Sequence, residues 1–328
     1  GLYTSPHLKD FRERIRINGK PVSRRFVVDF IQRNRAFLSV NHLSFFEMTV
    51  GMAFDCFDLK KVDIAIVEVG LGGRLDSTNI IVPEVSLITN IGMDHKEILG
   101  DTLGKIASEK AGIIKQHVPV VISEFQEEIA SIFVSRAKTM GSSIVFASET
   151  ISEPYDTDLL GNYQKKNVKG VIATLRELKG FKVSRENIAY GLQNVVKNTG
   201  LMGRWQILRD QPMVICDTAH NKEGFTVIME QLEQLQFDRL HFIIGFVKEK
   251  SLEEILPQFP KDAYYYFVKP DIWRGLNVEI LKEKAFEFDI QGKTYPSVKE
   301  ALSASIRKAN RDDLIYIGGS NFVVAEVV

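Results

Sequence analysis

Cysteine is almost missing from this 328-residue chain, which has only Cys56 and Cys216. A disulfide framework of the kind that staples small secreted domains is therefore excluded, and a reducing cytoplasm is the expected setting. Long apolar runs are missing too. None approaches the roughly 18 residues needed to cross a bilayer, so no membrane association is expected. The opening GLYTSPHL lacks a basic stretch followed by an apolar one and does not read as a signal peptide; it reads as a strand cut from an upstream partner. Nor is there an excess of one charge, with 42 basic against 42 acidic side chains. That balance leaves no electrostatic footprint for nucleic acid or an anionic membrane and points to small-molecule substrates. Internal repeats and low-complexity segments are absent, and a monomer is expected.

What is present is an ordinary core-forming composition, 45% hydrophobic and 26% charged, in a chain long enough for two domains. Strand-like runs at Val62 to Val69, Val85 to Ile91, Pro119 to Ile122 and Ser143 to Phe146 alternate with helical patterns. This predicts an α/β fold with a doubly wound, mostly parallel sheet. The polar stretch Ala147 to Asp158 reads as a linker or surface excursion. Strands at Met213 to Cys216, Leu240 to Phe246, Ala263 to Val268 and Leu314 to Ile317, with helices at Lys222 to Leu235 and Ser297 to Ala309, predict a smaller Rossmann-like α/β domain. The expected division is 1–202 and 203–328.

Within VDIAIVEVGLGGRLDSTN, Glu68 interrupts an unalternating β-branched run that suits a central strand covered on both faces. A buried carboxylate there needs a cation, a metal or hydrogen-bond donors, and the carboxyl end of a strand is where open α/β sheets bind ligands. His95 follows the strand Val85 to Ile91 in the same way. One carboxylate and one imidazole suit a Mg²⁺ ion that keeps waters and takes phosphate oxygens from a nucleotide, although His95 could be merely exposed and Asp94 could be the ligand instead. On the helix predicted over Thr102 to Ile114, Leu103, Ile106, Ile113 and Ile114 form an apolar stripe that includes Lys110 but neither Lys105 nor Lys115. Lys110 is therefore expected to point inward with a lowered pKa, or else to snorkel. In MVICDTAHNKEG, Asp217 ends a strand and His220 and Asn221 precede a helix whose amides can hold an anion; Asp217 could also simply cap that helix. GGSN at Gly318 to Asn321 is a weak phosphate-loop signal, and GLGG lacks the G-x-G-x-x-G spacing of a dinucleotide site.

Together, GLYTSPHLKDFRERIRING, VEVGLGGRLDSTN, TNIGMDHKEILGDTLGKIASEKAGIIK, GNYQKKN, GRWQIL, CDTAHN and IYIGGSNFVVAEV resemble the folylpolyglutamate synthase and dihydrofolate synthase family, a branch of the Mur-ligase-like ATP-dependent amide ligases. The resemblance implies that ATP phosphorylates a folate or pteroate carboxylate and that the amine of glutamate attacks the acyl phosphate. It implies a Mg²⁺ site at Ser5, Glu68 and His95, with K⁺ as a further candidate cation, and carbamylation of Lys110. Asn167 and Arg204 match residues contacting ATP, and Asp217 and His220 match a pair facing the phosphates and the glutamate site. Arg74, Asp76, Ser77, Thr78 and Asn79 correspond to a loop near the pterin-bearing substrate.

The resemblance also places a phosphate-cradling P-loop upstream of GLYTSP, and a chain starting at Gly1 is expected to show no ADP release dependent on folate and glutamate. A Mur-type peptidoglycan ligase and a non-catalytic nucleotide-binding relative are the competing readings; TSPHLKDFRERIRING argues against the first.

Overall fold

The computed structural model describes all 328 residues, in two compact units. The first comprises Gly1–Thr157 and Lys165–Gly200, and the second comprises Asp158–Gln164 and Leu201–Val328. The short segment Asp158–Gln164, assigned to the first domain by the sequence reading, thus packs with the second.

The first unit holds two separate ladders within the expected mixed α/β architecture. One has the order β3-β2-β1-β4, from β1 (Leu2–Tyr3), β2 (Ile15–Ile17), β3 (Lys20–Pro21) and β4 (Ile66–Val67). Here β1 runs parallel to β4 and antiparallel to β2. The other is the parallel set β5 (Ser86–Ile88), β6 (Val120–Ile122) and β7 (Ile144–Phe146). The run Val62 to Val69 is mostly not strand. Only Ile66 and Val67 join the ladder, as its edge, and Ile64 and Ile66 are 39% and 64% exposed. A β-branched run meets the composition of a covered strand, but composition does not say whether a neighbour lies on both sides.

Helices cover these sheets where caps and apolar spacing allow. Ser44 and Glu47 close a capping box on Phe45–Lys60, whose Val50, Met52, Ala53, Cys56 and Phe57 bury against Tyr3 and Ile15. Thr102 caps Leu103–Lys110, and Glu127–Met140 ends at Gly141 in the left-handed region. Ile106, Ala107, Ile129 and Phe133 of these two helices share one core with β5 and β6. The helix predicted to run to Ile114 stops at Lys110 and tightens into the 3₁₀ turn Ala111–Ile113. Ala147–Thr150 forms one helical turn at the start of the supposed linker.

The second unit carries a six-stranded sheet of order β12-β11-β10-β13-β9-β8: β8 (Gln206–Asp210), β9 (Met213–Cys216), β10 (Leu240–Ile244), β11 (Tyr264–Val268), β12 (Gly292–Tyr295) and β13 (Leu314–Gly318). Every pairing is parallel except β8 with β9. All five residues of β10 and of β13 are buried, as befits central strands with helices on both faces. Both cysteines are buried and unpaired, and burial pushes the Cys216 thiol up to about 12. No helix is long and apolar enough to cross a membrane.

Candidate functional site

The parallel pairing of β1 with β4 ends both strands at one edge of the ladder, and this brings Ser5 and Glu68 together. The Ser5 N–H donates to Glu68 Oε2 at 2.7 Å, and the Glu68 N–H donates to the Tyr3 carbonyl at 2.9 Å. Glu68 is exposed at the end of β4, the last strand of its ladder. It nonetheless has the compensating partners that were anticipated. Besides the Ser5 amide, the buried guanidinium of Arg14 lies within its electrostatic reach. Arg14 itself donates through Nε to His7 Nδ1 at 2.8 Å and lies over the Phe45 ring at 5.2 Å. The sequence reading missed Arg14, although its place in the quoted RERIRI stretch, directly before β2, was the available signal.

His95 sits after β5, exposed, at a left-handed φ of 53°, and its N–H is held by Asp94 Oδ1 at 2.9 Å. Glu68 and Ser5 are hydrogen-bonded to each other; no such contact joins His95 to them. No group of three or more His, Cys, Asp and Glu side chains converges to hold a metal. The oxygen donors of Ser5 and Glu68 do suit a hard, partly hydrated cation such as Mg²⁺, whose remaining positions waters and phosphate oxygens fill.

The segment Gly70–Asn79 is organised by Asp76. Its Oδ2 accepts the amides of Gly70 and Leu71 at 3.0 and 2.9 Å, and its Oδ1 accepts the amide and hydroxyl of Thr78 at 2.9 and 2.5 Å. Asp76 and Thr78 are thus occupied with the loop itself. Ser77 lies between them in the 3₁₀ turn Ser77–Ile80. Arg74 is exposed and forks through Nε and Nη2 onto Glu109 Oε1 at 3.1 and 2.9 Å, while Asn79 donates to the carbonyls of Arg74 and Gly112. Lys115 Nζ donates to the Asn79 carbonyl at 2.7 Å. Glu109 and Lys115, on either side of Lys110, therefore dock this loop; the sequence reading had set Lys115 aside as lying off the apolar stripe. The approach is close enough that a Cβ on Gly112 would sit 2.4 Å from Arg74 Cα. Gly112→Ala is accordingly expected to displace the loop and lower stability by about 1–3 kcal/mol, measured as a shift in the denaturant midpoint at constant slope.

Lys110 is half-buried at the end of its helix, whereas Lys105 is exposed and pairs with Asp101 at 2.8 Å. Burial lowers the Lys110 pKa, and Asp94 and Asp76 pull it back in part. Its partial burial, against the exposure of Lys105, is consistent with its place on the stripe.

In the second unit Asp217 is the hub. At 3% exposure it accepts three hydrogen bonds: Tyr163 Oη at 2.8 Å and the Trp205 amide at 2.6 Å on Oδ2, and the Ala219 amide at 2.8 Å on Oδ1. Burial raises its pKa, opposed by these donors and by Arg204; burial and the Asp217 charge together raise that of Tyr163. Asp217 does not cap the following helix. Asn221 does, through Oδ1 and the Gly224 amide at 2.9 Å. His220 Nδ1 lies 3.0 Å from the Thr218 carbonyl, which can only accept, so Nδ1 carries the proton and Nε2 is the basic nitrogen.

Arg204 is exposed on a loop between Gly203 (φ 70°) and Trp205 (φ 45°). A tryptophan in the left-handed region costs on the order of 1 kcal/mol, offset here by the Asp217 contact and by burial of the indole to 3% exposure. Asn167 lies in the helix Gln164–Glu177 of the first unit. The GGSN turn is taken up by Ser320 capping the five-residue helix Asn321–Ala325. Tyr163 was missed as a site residue; within the quoted GNYQKKN, only Asn167 had been singled out.

Residues 40–195 match the Mur ligase middle domain and residues 203–321 the Mur ligase glutamate ligase domain. The chain is 31% identical to a probable bifunctional folylpolyglutamate synthase/dihydropteroate synthase of Haloferax volcanii, matching over 99% of its own length but only 42% of that relative. It is 30% identical to the folylpolyglutamate synthase of Thermotoga maritima, superposing with a TM-score of 0.82 over 100% of this chain and 80% of that one. The Escherichia coli FolC protein in complex with DHPP and ADP is 28% identical, with a TM-score of 0.86 and the same coverages of 100% and 80%. With two Mur ligase domains in tandem and a 30% identical synthase matched over four-fifths of its length, the chain belongs to the folylpolyglutamate synthase/dihydrofolate synthase family of Mur ligases.

Proposed function

We propose that this protein is an ATP-dependent ligase that joins L-glutamate to a folate or dihydropteroate carboxylate, acting as both folylpolyglutamate synthase and dihydrofolate synthase in the cytoplasm. The γ-phosphoryl group of ATP passes to the carboxylate, releasing ADP and forming an acyl phosphate. The glutamate amine then attacks the acyl carbon, loses a proton and expels inorganic phosphate. The observation that carries this reading is the Ser5–Glu68 contact at paired strand ends, an oxygen-rich pair suited to a phosphate-bound cation.

Glu68 and Ser5, with His95, hold Mg²⁺ in this reading, and K⁺ is a further candidate; a bound cation supplies neutralisation of phosphate charge. Lys110, as its carbamate, adds an anionic ligand. Arg204 and Asn167 contact ATP, with the exposed guanidinium of Arg204 able to reach a phosphate oxygen. Asp217 fixes the loop bearing Arg204. His220, with Nε2 basic, takes the proton that the glutamate amine loses. The loop Arg74 to Asn79 borders the pterin-bearing substrate, with Leu75 presented at 78% exposure. The full-length enzyme is assayed for ADP release with glutamate and either dihydropteroate or tetrahydrofolate. Turnover with both acceptors is the expected result. Activity with one alone removes the bifunctional assignment, and turnover with neither removes the ligase assignment.

A further inference from the structure

Asp217 has three donors, and they come from three different stretches of chain. Two are backbone amides, from the loop that carries Arg204 and from the loop that carries His220. A further bond, from the Thr218 amide to the Gly203 carbonyl at 3.0 Å, ties those loops to each other. The third donor is the hydroxyl of Tyr163, and it shares Oδ2 with the Trp205 amide. Tyr163 is itself fixed before it meets Asp217. Its ring packs against the core of the second unit, and Gln231 grips the residues on its N-terminal side, accepting from the Asn162 amide at 2.6 Å and donating to the Leu160 carbonyl at 2.9 Å.

We propose that Tyr163 is a positioning residue: its hydroxyl orients Asp217 so that Oδ2 meets the Trp205 amide, which holds the left-handed turn and aims Arg204. The chemistry follows from where the donors stand. A carboxylate 3% exposed has no water to replace a lost donor, so without the hydroxyl it rotates toward the donors that remain. Trp205 then loses the geometry of the contact that sustains its positive φ, and the neighbouring guanidinium loses its fixed origin. Phe at 163 keeps the ring in the core and removes only this influence.

The inference rests on the reading of Arg204 as a contact to ATP, and the test separates the two. ADP affinity is measured by calorimetry on the full-length enzyme for Tyr163→Phe, Arg204→Ala and the double variant, alongside KM for ATP and for glutamate. Tyr163→Phe is expected to weaken ADP and raise KM for ATP roughly tenfold, the scale of one hydrogen bond to a charged group, with KM for glutamate within about twofold. In the Arg204→Ala background the same substitution is expected to add less than about twofold, because the group it aims is gone. An undiminished effect in that background overturns the proposal, since the hydroxyl then acts elsewhere. So does unchanged ADP affinity in Tyr163→Phe while Arg204→Ala weakens binding. Unchanged affinity in Arg204→Ala overturns the reading of Arg204 itself. Should the Phe protein not fold, 4-aminophenylalanine at 163 retains ring and donor, and ADP binding is expected within about threefold of wild type; a tenfold loss with the donor present refutes the positioning role.

Discussion

Lys110→Ala is expected to abolish most turnover, on the order of 10²-fold or more, while Lys105→Ala changes it by less than about twofold. The two lysines lie on one helix but differ in surroundings: Lys105 is exposed and paired with Asp101, and Lys110 is half-buried near Asp94 and Asp76. Burial, the larger influence, lowers the Lys110 pKa. Carbon dioxide adds only to the neutral amine, with loss of a proton, so carbamate occupancy is expected to rise with pH and to set in at lower pH than for an exposed lysine. The sign for stability follows from the same lowered value. Below the folded pKa, the ammonium must be held in a half-buried place and stability is reduced; it recovers as pH rises toward the unfolded value.

As its carbamate, Lys110 would add a negative charge near Asp94 and Asp76, and a bound divalent cation would neutralise it. Chelation of divalent ions is therefore expected to reduce carbamate occupancy, measured by mass shift or carbon NMR with labelled bicarbonate. Short carboxylic acids are expected to restore part of the Lys110→Ala activity. Full turnover in Lys110→Ala, or an unmodified lysine in bicarbonate-treated active enzyme, refutes the assignment.

His220→Ala is expected to lower kcat on the order of 10²-fold with the unfolding midpoint unchanged, because the half-buried imidazole contacts the Thr218 carbonyl through Nδ1, which makes Nε2 the basic nitrogen. Asp217→Asn behaves differently. Three donors converge on the Asp217 carboxylate at 3% exposure. An amide presents its own N–H groups to at least one of those donors, so a stability loss of about 1–3 kcal/mol accompanies the loss of activity. Thermal unfolding and kcat measured on both variants check this. If His220→Ala keeps kcat within about threefold, His220 is not the proton acceptor.

Much of the architecture was legible because it rests on periodicity. The buried strands β9, β10 and β13 announce themselves as short apolar runs, and the orientation of Lys110 against Lys105 follows from helical spacing alone. The Glu68 environment was read only in part. Its place at a strand end was correct, but its exposure depends on which strands pair with β4, a non-local fact that no local pattern encodes. The roles of Tyr163, Glu109 and Lys115 were hidden for the same reason. Each acts through a partner distant in sequence, with 54 residues separating Tyr163 from Asp217. Asp76 and Asp217 illustrate the converse. Carboxylates picked out as chemical candidates also accept backbone amides and hydroxyls, contacts that spacing arguments do not distinguish from ligand binding.

Gln231, whose side chain clasps Leu160 and Asn162, has a bearing on recombination. Splitting the gene at Gly200 looks like a clean cut between compact units, yet it leaves the strap Asp158–Gln164 on the wrong fragment. A chimera made with one crossover there pairs one parent's strap with the other parent's Gln231 and Asp217. Wherever the parents differ at those positions, a buried amide or carboxylate loses its complement. Viable exchanges between relatives therefore require the strap to travel with the distal module, as a double crossover, and libraries of single-crossover hybrids are expected to be enriched for parents that already share the Tyr163–Asp217 and Asn162–Gln231 pairs.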